Sequence, residues 1–333
     1  MYGLGVVAGG AIRVFGTAAG GIALALAAAV AWGQTDSGKT IRLVVPYPAG
    51  GSSDVQARLV AHGLAERLGQ PVIVENKPGA SSIIGTEFVA KQPADGLTML
   101  LAAPPFVITP YTEQKLPYDV KTEFAPVTLL ARAPMVVAVG ASYSGKSLAD
   151  LVAKAKAEPG RVPYGSVGSG GLGHLSTELL ARRLGISLLH VPYKGSAPAL
   201  TDLAGGRIAL MLTTQLDLAA QLGAGSVRVL ATGAPQRSKF LPDVPTIAEL
   251  GFGQVDLGYW FSGIVMRAGT RPEALNRLSR EMAGIIKRPE VRAKLDVQSV
   301  DVVGSTPAEY GAFLNAEHAR WAEAVAIAGL KPR

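Results

Sequence analysis

Short apolar runs alternate with stretches of helical periodicity along the chain from residue 41 onward. Runs of five or six residues rich in Val, Ile and Leu predict strands, and longer amphipathic stretches between them predict helices. Strand–helix–strand units of this size are typical of parallel sheets with helices on their faces, so the pattern predicts an α/β fold. The predicted strands are 41–45, 71–75, 98–102, 135–139, 186–191, 207–212 and 227–232, and the predicted helices are 55–68, 83–91, 148–157, 174–184 and 197–204.

Two further helices near the C-terminus are predicted from their start signals. Thr270 and Thr306 are each followed three residues later by a glutamate, which is the spacing of a capping box. Each also has a proline in the first helical turn, where the missing N–H is tolerated. We therefore expect a helix to begin immediately after each threonine.

The first 31 residues have the pattern of an export signal. Arg13 is their one charged residue, the run 14–30 is apolar, and Ala29-Val30-Ala31 is a small-x-small cleavage pattern. These features predict a secretory signal peptide over 1–31, with a transmembrane anchor as the alternative. An exported chain with no cysteine favours a bacterial periplasm over a eukaryotic secretory route.

Composition excludes several classes of function. The chain of 333 residues contains no cysteine, and no two of its four histidines stand at metal-ligand spacing, so we expect no metal or other cofactor. The net charge is +7, but the basic residues are scattered and aromatic residues make up 6 %. A nucleic-acid surface needs a basic stripe, so we expect no nucleic-acid partner. A mildly basic surface suits the attraction of small anions.

A P-loop pattern occurs at Gly140–Ser147, between a predicted strand and a predicted helix. A nucleotide site also needs an acid at the end of another apolar strand to hold Mg²⁺, and no predicted strand supplies one. Ser147 and Asp150 have capping-box spacing, which explains the same residues without a ligand. A P-loop nucleotide-binding enzyme stays an alternative, from a different class of protein.

Two glycine-rich segments follow predicted strands and precede predicted helices. One is 46–54 and the other is 168–173, which matches G-x-G-x-x-G. The next strand after the second segment ends in Pro192-Tyr193-Lys194, with no acid for a dinucleotide ribose, so that type of site is disfavoured. Glycines allow backbone amides to approach a ligand, and a helix N-terminus attracts an anion. The two segments therefore predict a cleft that holds a carboxylate.

Five motifs in order give the chain a family resemblance from about residue 40 to the C-terminus. The chain resembles the periplasmic solute-binding proteins of tripartite tricarboxylate transporters, also called Bug-type receptors. The motifs are Pro-Tyr-Pro-Ala-Gly-Gly-Ser-Ser-Asp at 46–54, Val-Glu-Asn-Lys-Pro-Gly-Ala at 74–80, Tyr-Gly-Ser at 164–166 with His-Leu at 174–175, Val-Pro-Tyr-Lys-Gly-Ser-Ala-Pro-Ala-Leu at 191–200 and Leu-Pro-Asp-Val-Pro-Thr at 241–246.

The resemblance implies a two-lobe periplasmic binding protein (type II) fold with a ligand cleft between the lobes. Lobe 1 would comprise 40–135 and 265–333, and lobe 2 would comprise 136–264. The implied function is capture of a small organic carboxylate and its delivery to the membrane permease subunits of a transporter. Such a protein is not an enzyme, is periplasmic and is expected to act as a monomer. A sensory carboxylate-binding protein is the alternative within this class.

The resemblance also implies the site. Backbone amides and hydroxyls of 49–54 would hold one ligand carboxylate, and 166–174 would close from the other lobe. After the third strand this chain has apolar Ala102–Phe106 where the family has polar residues, which predicts a more apolar wall. Thr213-Thr214-Gln215 offers no partner for a ligand ammonium. The expected ligand-binding residues are Ala49, Gly50, Gly51, Ser52, Ser53, Asp54, Ser82, Ala103, Ser166, Ser169, Gly170, Gly171, His174 and Thr214.

Overall fold

The computed structural model describes residues 1–3, 5, 38–253 and 255–332. The predicted signal peptide lies outside these residues apart from 1–3 and 5, and it stays a prediction. Contacts divide the chain into Met1–Lys39 and Thr40–Arg333, and both β-sheets lie in the second unit. Within the described ranges, no helix combines the length and the apolarity that crossing a bilayer requires.

One sheet has six strands, in the spatial order β11-β4-β10-β3-β1-β2. β1 pairs in parallel with β2 and with β3, whereas β10 runs antiparallel between β3 and β4. The strands are β1 (Ile41–Val45), β2 (Val72–Asn76), β3 (Thr98–Ala102), β4 (Phe124–Pro134), β10 (Tyr259–Arg267) and β11 (Asp301–Val302).

The second sheet has five strands, in the order β7-β6-β8-β5-β9. β6 is parallel to β7 and β8, and β5 is antiparallel to β8 and β9. Only Met135 separates the last strand residue of β4 from the first of β5, so the chain passes directly from one sheet to the other. The strands are β5 (Val136–Gly140), β6 (Pro163–Ser166), β7 (Leu189–Pro192), β8 (Leu210–Thr213) and β9 (Val227–Thr232).

Helices cover both faces of each sheet. In β1, Leu43 and Val45 pack into a core with α1 and α8, and Val44 points to a second core with α3 and α10. Strands buried on both faces explain the continuous apolar runs of the sequence. The helices are α1 (Ser52–Leu68), α2 (Ile83–Ala90), α3 (Pro104–Thr112), α4 (Leu148–Ala157), α5 (Leu172–Leu184), α6 (Ser196–Ala204), α7 (Gln215–Gly223), α8 (Pro272–Ile286), α9 (Pro289–Asp296) and α10 (Pro307–Ile327), and a 3-10 turn spans Ala80–Ser82.

Two expectations from the sequence meet a different local structure. The Thr270 capping box is wrong, because the N-cap of α8 is Arg271 and the Thr270 hydroxyl donates to the Arg267 carbonyl at 2.7 Å. The Thr306 capping box is confirmed at the start of α10. The predicted lobe boundary between 264 and 265 falls within β10, all of which pairs in the six-stranded sheet. The boundaries themselves stay a prediction.

Candidate ligand-binding site

A cavity of about 760 Å³ opens between segments that belong to the two sheets. One wall is formed by the segment between β1 and α1, by Ser81 and by α3. The opposite wall is the segment 167–172, between β6 and α5. β1 and β3 are neighbouring parallel strands, so the loops at their carboxyl ends lie at the same edge of the sheet. This edge is where α/β proteins commonly bind ligands.

The first wall presents the N-terminus of α1 to the cavity. Gly51 is the N-cap residue, and no side chain caps the helix. Gly51, Ser52 and Ser53 all line the cavity. The first N–H groups of a helix have no partner within it and carry the positive end of its dipole. This wall can therefore donate hydrogen bonds to an anion.

Asp54 holds this wall in place from behind. Its buried carboxylate accepts hydrogen bonds from the Gly50 N–H at 2.9 Å, from Arg58 at 2.9 and 3.1 Å and from Asn76 at 2.9 Å. Asn76 also donates to the Tyr47 carbonyl at 3.1 Å. Burial raises the pKa of Asp54, but the hydrogen bonds from Arg58, Gly50 and Asn76 outweigh it and hold the pKa below its ordinary value. Asp54 is therefore ionised and oriented within the protein, and it does not line the cavity.

The opposite wall presents a second helix N-terminus. Gly171 is the N-cap of α5, again with no side-chain cap, and the segment 167–172 lines the cavity. Gly168 and Gly170 have φ values of +85° and +78°, which side chains other than glycine rarely tolerate. A Cβ on Gly170 would lie 3.4 Å from Cγ2 of Thr112 in α3, so this segment reaches across to the first wall. Two helix N-termini thus face one cavity.

The third helix at the cavity has a different character. α3 begins with Pro104 and Pro105, which have no N–H to donate, and the Phe106 N–H is used by the Ala103 carbonyl at 2.8 Å. Ala103, both prolines and Ile108 line the cavity. The residues after the third strand thus form an apolar wall, as expected, and its comparison with the family stays a prediction. This surface suits the hydrocarbon part of a ligand.

The structure brings half of the expected site residues together at the cavity. Those that line it are Gly51, Ser52, Ser53, Ala103, Ser169, Gly170 and Gly171. Those outside the lining are Ala49, Gly50, Asp54, Ser82, Ser166, His174 and Thr214. Several of the second group use their polar atoms within the protein: Thr214 caps α7, Ser82 accepts from Thr86 through its carbonyl, and His174 accepts from Gly170. Direct ligand contact by each expected residue stays a prediction.

Sequence reasoning missed several lining residues. Ser81 lies in a run with Ala80 and Ser82 in which all three φ values are positive, at 51°, 47° and 74°. Three consecutive non-glycine residues in this region store backbone strain, which is common at binding sites. Thr112 comes from the end of α3 and Trp260 from β10. No local motif marks these positions, since they meet only through the fold.

Two histidines lie directly behind the second wall. The rings of His174 and His190 stack with centroids 3.9 Å apart, and His190 stacks on Tyr164 at 4.9 Å. Burial lowers the pKa of His174. Burial, followed by the neighbouring His174, lowers the pKa of His190 to about 4. Both rings are therefore neutral at pH 7. No group of three His, Asp or Glu side chains in the described residues is placed to hold a metal ion.

The P-loop motif does not form a phosphate site. The guanidinium of Arg228 occupies the loop and donates to the carbonyls of Tyr143 at 2.8 Å and of Gly145. The N–H groups of Lys146 and Ser147 donate to the Asp150 carboxylate at 2.7 and 3.0 Å. The amides that would bind phosphate are thus taken by an acid, and the Ser147–Asp150 capping box is confirmed. The nucleotide-binding alternative is not favoured.

Comparison with known proteins agrees with this geometry. Residues 56–330 match the family described as "Tripartite tricarboxylate transporter family receptor" (TctC). The chain is 35 % identical to protein BugT of Bordetella pertussis over 312 residues, which cover 93 % of this chain and 95 % of that protein.

Two solved structures are similar over most of their length. "R. palustris Rpa4515 with adipate" has a TM-score of 0.75 and 35 % identity, and the match covers 88 % of this chain and 98 % of that one. MatC from Rhodopseudomonas palustris with bound malate has a TM-score of 0.69 and 26 % identity, covering 86 % and 98 %. This chain belongs to the TctC family of tripartite tricarboxylate transporter receptors and has their two-lobe periplasmic binding protein fold.

Proposed function

We propose that the protein binds a small organic carboxylate in the cavity and delivers it to the membrane permease subunits of a tripartite tricarboxylate transporter. The observation that carries this proposal is the pair of uncapped helix N-termini, of α1 and α5, that face one cavity from opposite walls. An anion between them receives backbone hydrogen bonds from both sides. Hydrogen bonds to a charged group contribute about 1.5–3 kcal/mol each.

The rest of the cavity supports the same ligand class. The apolar surface of α3 can pack against a hydrocarbon chain or ring, and the polar residues Ser53 and Thr112 also line the cavity. Related proteins have been solved with adipate and with malate, both of which are small carboxylates. The chemistry needs no covalent step, so the ligand should leave unchanged.

Location and partners follow from the family. The proposed route is export through a signal peptide over 1–31, residence in the periplasm and docking on the permease with ligand bound. The proposed sites of ligand contact are the two segments 49–54 and 166–174. A sensory role would use the same cavity and a different partner.

Ligand binding is tested by thermal unfolding with matched pairs of compounds. Adipate and malate should raise the midpoint of unfolding, because a ligand that binds only the folded state stabilises it. Adipamide, the neutral diamide of adipate, should not raise it, since the helix termini attract charge. Equal stabilisation by acid and amide would contradict the proposal. Recovery of the acid unchanged by mass spectrometry would support a receptor without turnover.

A charge placed at the first wall should weaken binding. Ser53→Asp puts a carboxylate at the cavity, where it repels the ligand, and we expect at least a tenfold weaker affinity by calorimetry. The matched control is Val55→Asp, in the same turn of α1 but exposed to solvent and outside the cavity lining. Val55→Asp should bind as the wild type does. Equal loss in both variants would mean that the helix was damaged rather than the site.

Delivery is tested by uptake in cells. Deletion of this receptor should abolish uptake of the labelled acid when the permease subunits are present. Uptake that continues unchanged, with loss of a transcriptional response to the acid, would favour the sensory role.

A further inference from the structure

The second wall of the cavity rests on a stack of three rings. His174 and His190 are stacked at 3.9 Å with an interplanar angle of 11°, and Tyr164 lies on the other side of His190 at 4.9 Å. His174 is 5 % exposed. These rings lie behind the segment 166–171, and both histidines hydrogen-bond to it. Neither histidine lines the cavity.

The hydrogen bonds fix the orientation of both rings, and the one to His174 requires that ring to be neutral. The Gly170 N–H donates to Nδ1 of His174 at 3.0 Å, so this nitrogen carries no proton. The Ser166 hydroxyl donates its one proton to the Gly168 carbonyl at 3.0 Å. Its oxygen is 2.7 Å from Nε2 of His190, so that nitrogen is the donor. The two rings thereby fix both ends of the segment that forms the second wall.

Few charged groups face the pair. Tyr164 of β6 donates to Glu178 of α5 at 2.5 Å, and the same carboxylate is 4.0 Å from Nε2 of His174. On α10, which packs against α5, Glu323 pairs with Arg183 at the opposite end of α5 from His174. β8 has no ionisable side chain, and Asp217 after it bonds to Thr213 and Thr214. α3 has only Tyr111 as an ionisable side chain, and Glu113 follows its end.

Protonation would reverse the contact that holds Gly170. A proton on Nδ1 of His174 would set an N–H against the Gly170 N–H, and the acceptor would be lost. A charge on either ring would also lie against the other ring of the stack, in a buried place. Gly170 reaches Thr112 across the cavity, so release of Gly170 would separate the two walls.

We propose that His174 and His190 are positioning residues that hold the segment 166–171 in its ligand-binding form while they are neutral, and that protonation of the pair releases the segment and the ligand. This inference rests on the proposed function of the cavity. While the segment 166–171 is held, burial lowers the pKa of both rings, and the neighbouring His174 also lowers the pKa of His190. The released form therefore binds more protons than the held form. Lowering the pH below the ordinary histidine pKa of about 6.5 shifts the equilibrium towards the released form.

Asparagine and leucine at position 174 separate the two parts of this proposal. The Asn side-chain oxygen stands in for Nδ1 as an acceptor but cannot be protonated, whereas leucine removes the acceptor. The probe is whichever of adipate, malate and benzoate binds the wild type most tightly at pH 7.5. Calorimetry from pH 7.5 to 5 compares the variants at each pH, so the ionisation of the acid itself cancels.

We expect the wild-type Kd to rise about tenfold more than that of His174→Asn between pH 7.5 and 5. His174→Leu should bind about tenfold more weakly at every pH. The matched control is His318→Asn, because His318 is also buried with a pKa lowered by burial to about 4, but it bonds to Tyr111 and not to this segment. This control should keep the wild-type pH profile.

A measurement without ligand keeps the two proposals distinct. The amide proton resonance of Gly170 should shift with acid in the wild type and stay fixed in His174→Asn, with circular dichroism confirming that both are folded. If no acid binds, the proposed function fails while the amide measurement still tests the histidine contact. Identical pH profiles of Kd in the wild type and His174→Asn would overturn the histidine proposal, and so would a pH-independent Gly170 resonance.

Discussion

At the scale of single residues, Asp54 shows how a side chain outside the cavity lining can hold the backbone of a cavity wall. Its carboxylate is buried and joins Gly50, Arg58 and Asn76. These bonds fix the backbone before α1, and that backbone lines the cavity. The motif at 46–54 predicted a segment that lines the cavity, but a motif cannot distinguish a residue that would touch a ligand from one that holds the loop.

Asp54→Asn should destabilise the fold and weaken ligand binding together. We expect the free energy of unfolding to fall by about 1–3 kcal/mol, because a buried hydrogen-bonded charge is lost and Arg58 is left without its acid. The pKa of Asp54 is lowered in the folded state, so its stabilisation is present above the unfolded pKa and disappears as pH falls through the folded one. Urea unfolding of both proteins at pH 7 and at pH 3 measures this difference.

Asp202→Asn provides the comparison. Asp202 also accepts from an arginine and from a tyrosine, Arg207 and Tyr193, but its side chain is 24 % exposed and solvent screens the pair. We expect a smaller loss than that of Asp54→Asn. Equal losses in the two variants would show that burial does not set the contribution of Asp54.

At the scale of elements, the sequence predicted those whose local pattern was unambiguous. β1, β3, β9 and α4 have the predicted bounds, because each is an apolar run or an amphipathic stretch between clear breakers. α3 was not predicted, since it contains prolines at 104, 105 and 110. The first two prolines stand in the first turn, where they are tolerated, and the third is near the end of the helix. The apolar side chains of α3 pack in the core, and this packing stabilises the helix.

The start of α8 was misjudged for a related reason. Thr270 has the right spacing to Glu273, but its hydroxyl turns back to the Arg267 carbonyl at the end of β10. A threonine hydroxyl that bonds to a nearby backbone carbonyl is not placed to cap the helix. The sequence alone does not show whether such a carbonyl is near.

Replacement of glycine by alanine should have opposite effects on stability at two helical positions, because only one of them is tightly packed. Gly63→Ala in α1 would place a Cβ 2.5 Å from Cγ2 of the buried Ile285 in α8. Overpacking of this kind should lower the free energy of unfolding by about 1–3 kcal/mol. Gly223→Ala in α7 meets nothing within 4 Å, so the helix preference for alanine should leave it neutral or more stable by up to about 1 kcal/mol. Urea unfolding measures both.

A second substitution tests the reason for the effect at position 63. Ile285→Ala removes Cγ1, Cγ2 and Cδ1, the atoms that a Cβ at position 63 would meet, so Gly63→Ala should cost less stability in the Ile285→Ala background than in the wild type. Loss of stability that simply adds to that of Gly63→Ala would contradict the packing explanation.

At the scale of the whole molecule, the fold class and two facing segments of the cavity could be predicted, because two glycine-rich segments follow strands that belong to two different sheets. The complete lining could not. Ser81 and Trp260 lie 179 positions apart in the sequence and meet at the cavity only after both sheets have formed. Their identity depends on long-range pairing that no local pattern encodes.

Buried neutral histidines make the whole fold sensitive to acid. Burial lowers the pKa of His318 to about 4, and burial with the neighbouring His174 lowers that of His190 to about 4. The unfolded state therefore binds more protons than the folded state between about pH 6.5 and 4. The free energy of unfolding decreases as the pH is lowered through that window. Each group contributes at most about 1.4 kcal/mol per pH unit, and the partly exposed His190 contributes less.

Replacement of His318 isolates its share of this effect. In His318→Asn the slope of the unfolding free energy against pH should be smaller between pH 6 and 4.5 than in the wild type. An unchanged slope in His318→Asn would show that this histidine does not titrate on unfolding.

The place of β10 between β3 and β4 has a consequence for the order of folding. During synthesis the five-stranded sheet has all its strands once residue 232 has emerged, whereas the six-stranded sheet lacks an interior strand until residue 267. Until then β3 has one unpaired edge and β4 has no paired neighbour, and the pairing of β4 with β10 spans more than 120 residues. Such non-local closure is slow. A nascent chain of this protein therefore stays incompletely folded until its last quarter is made, which suits the proposed export of the chain before it folds.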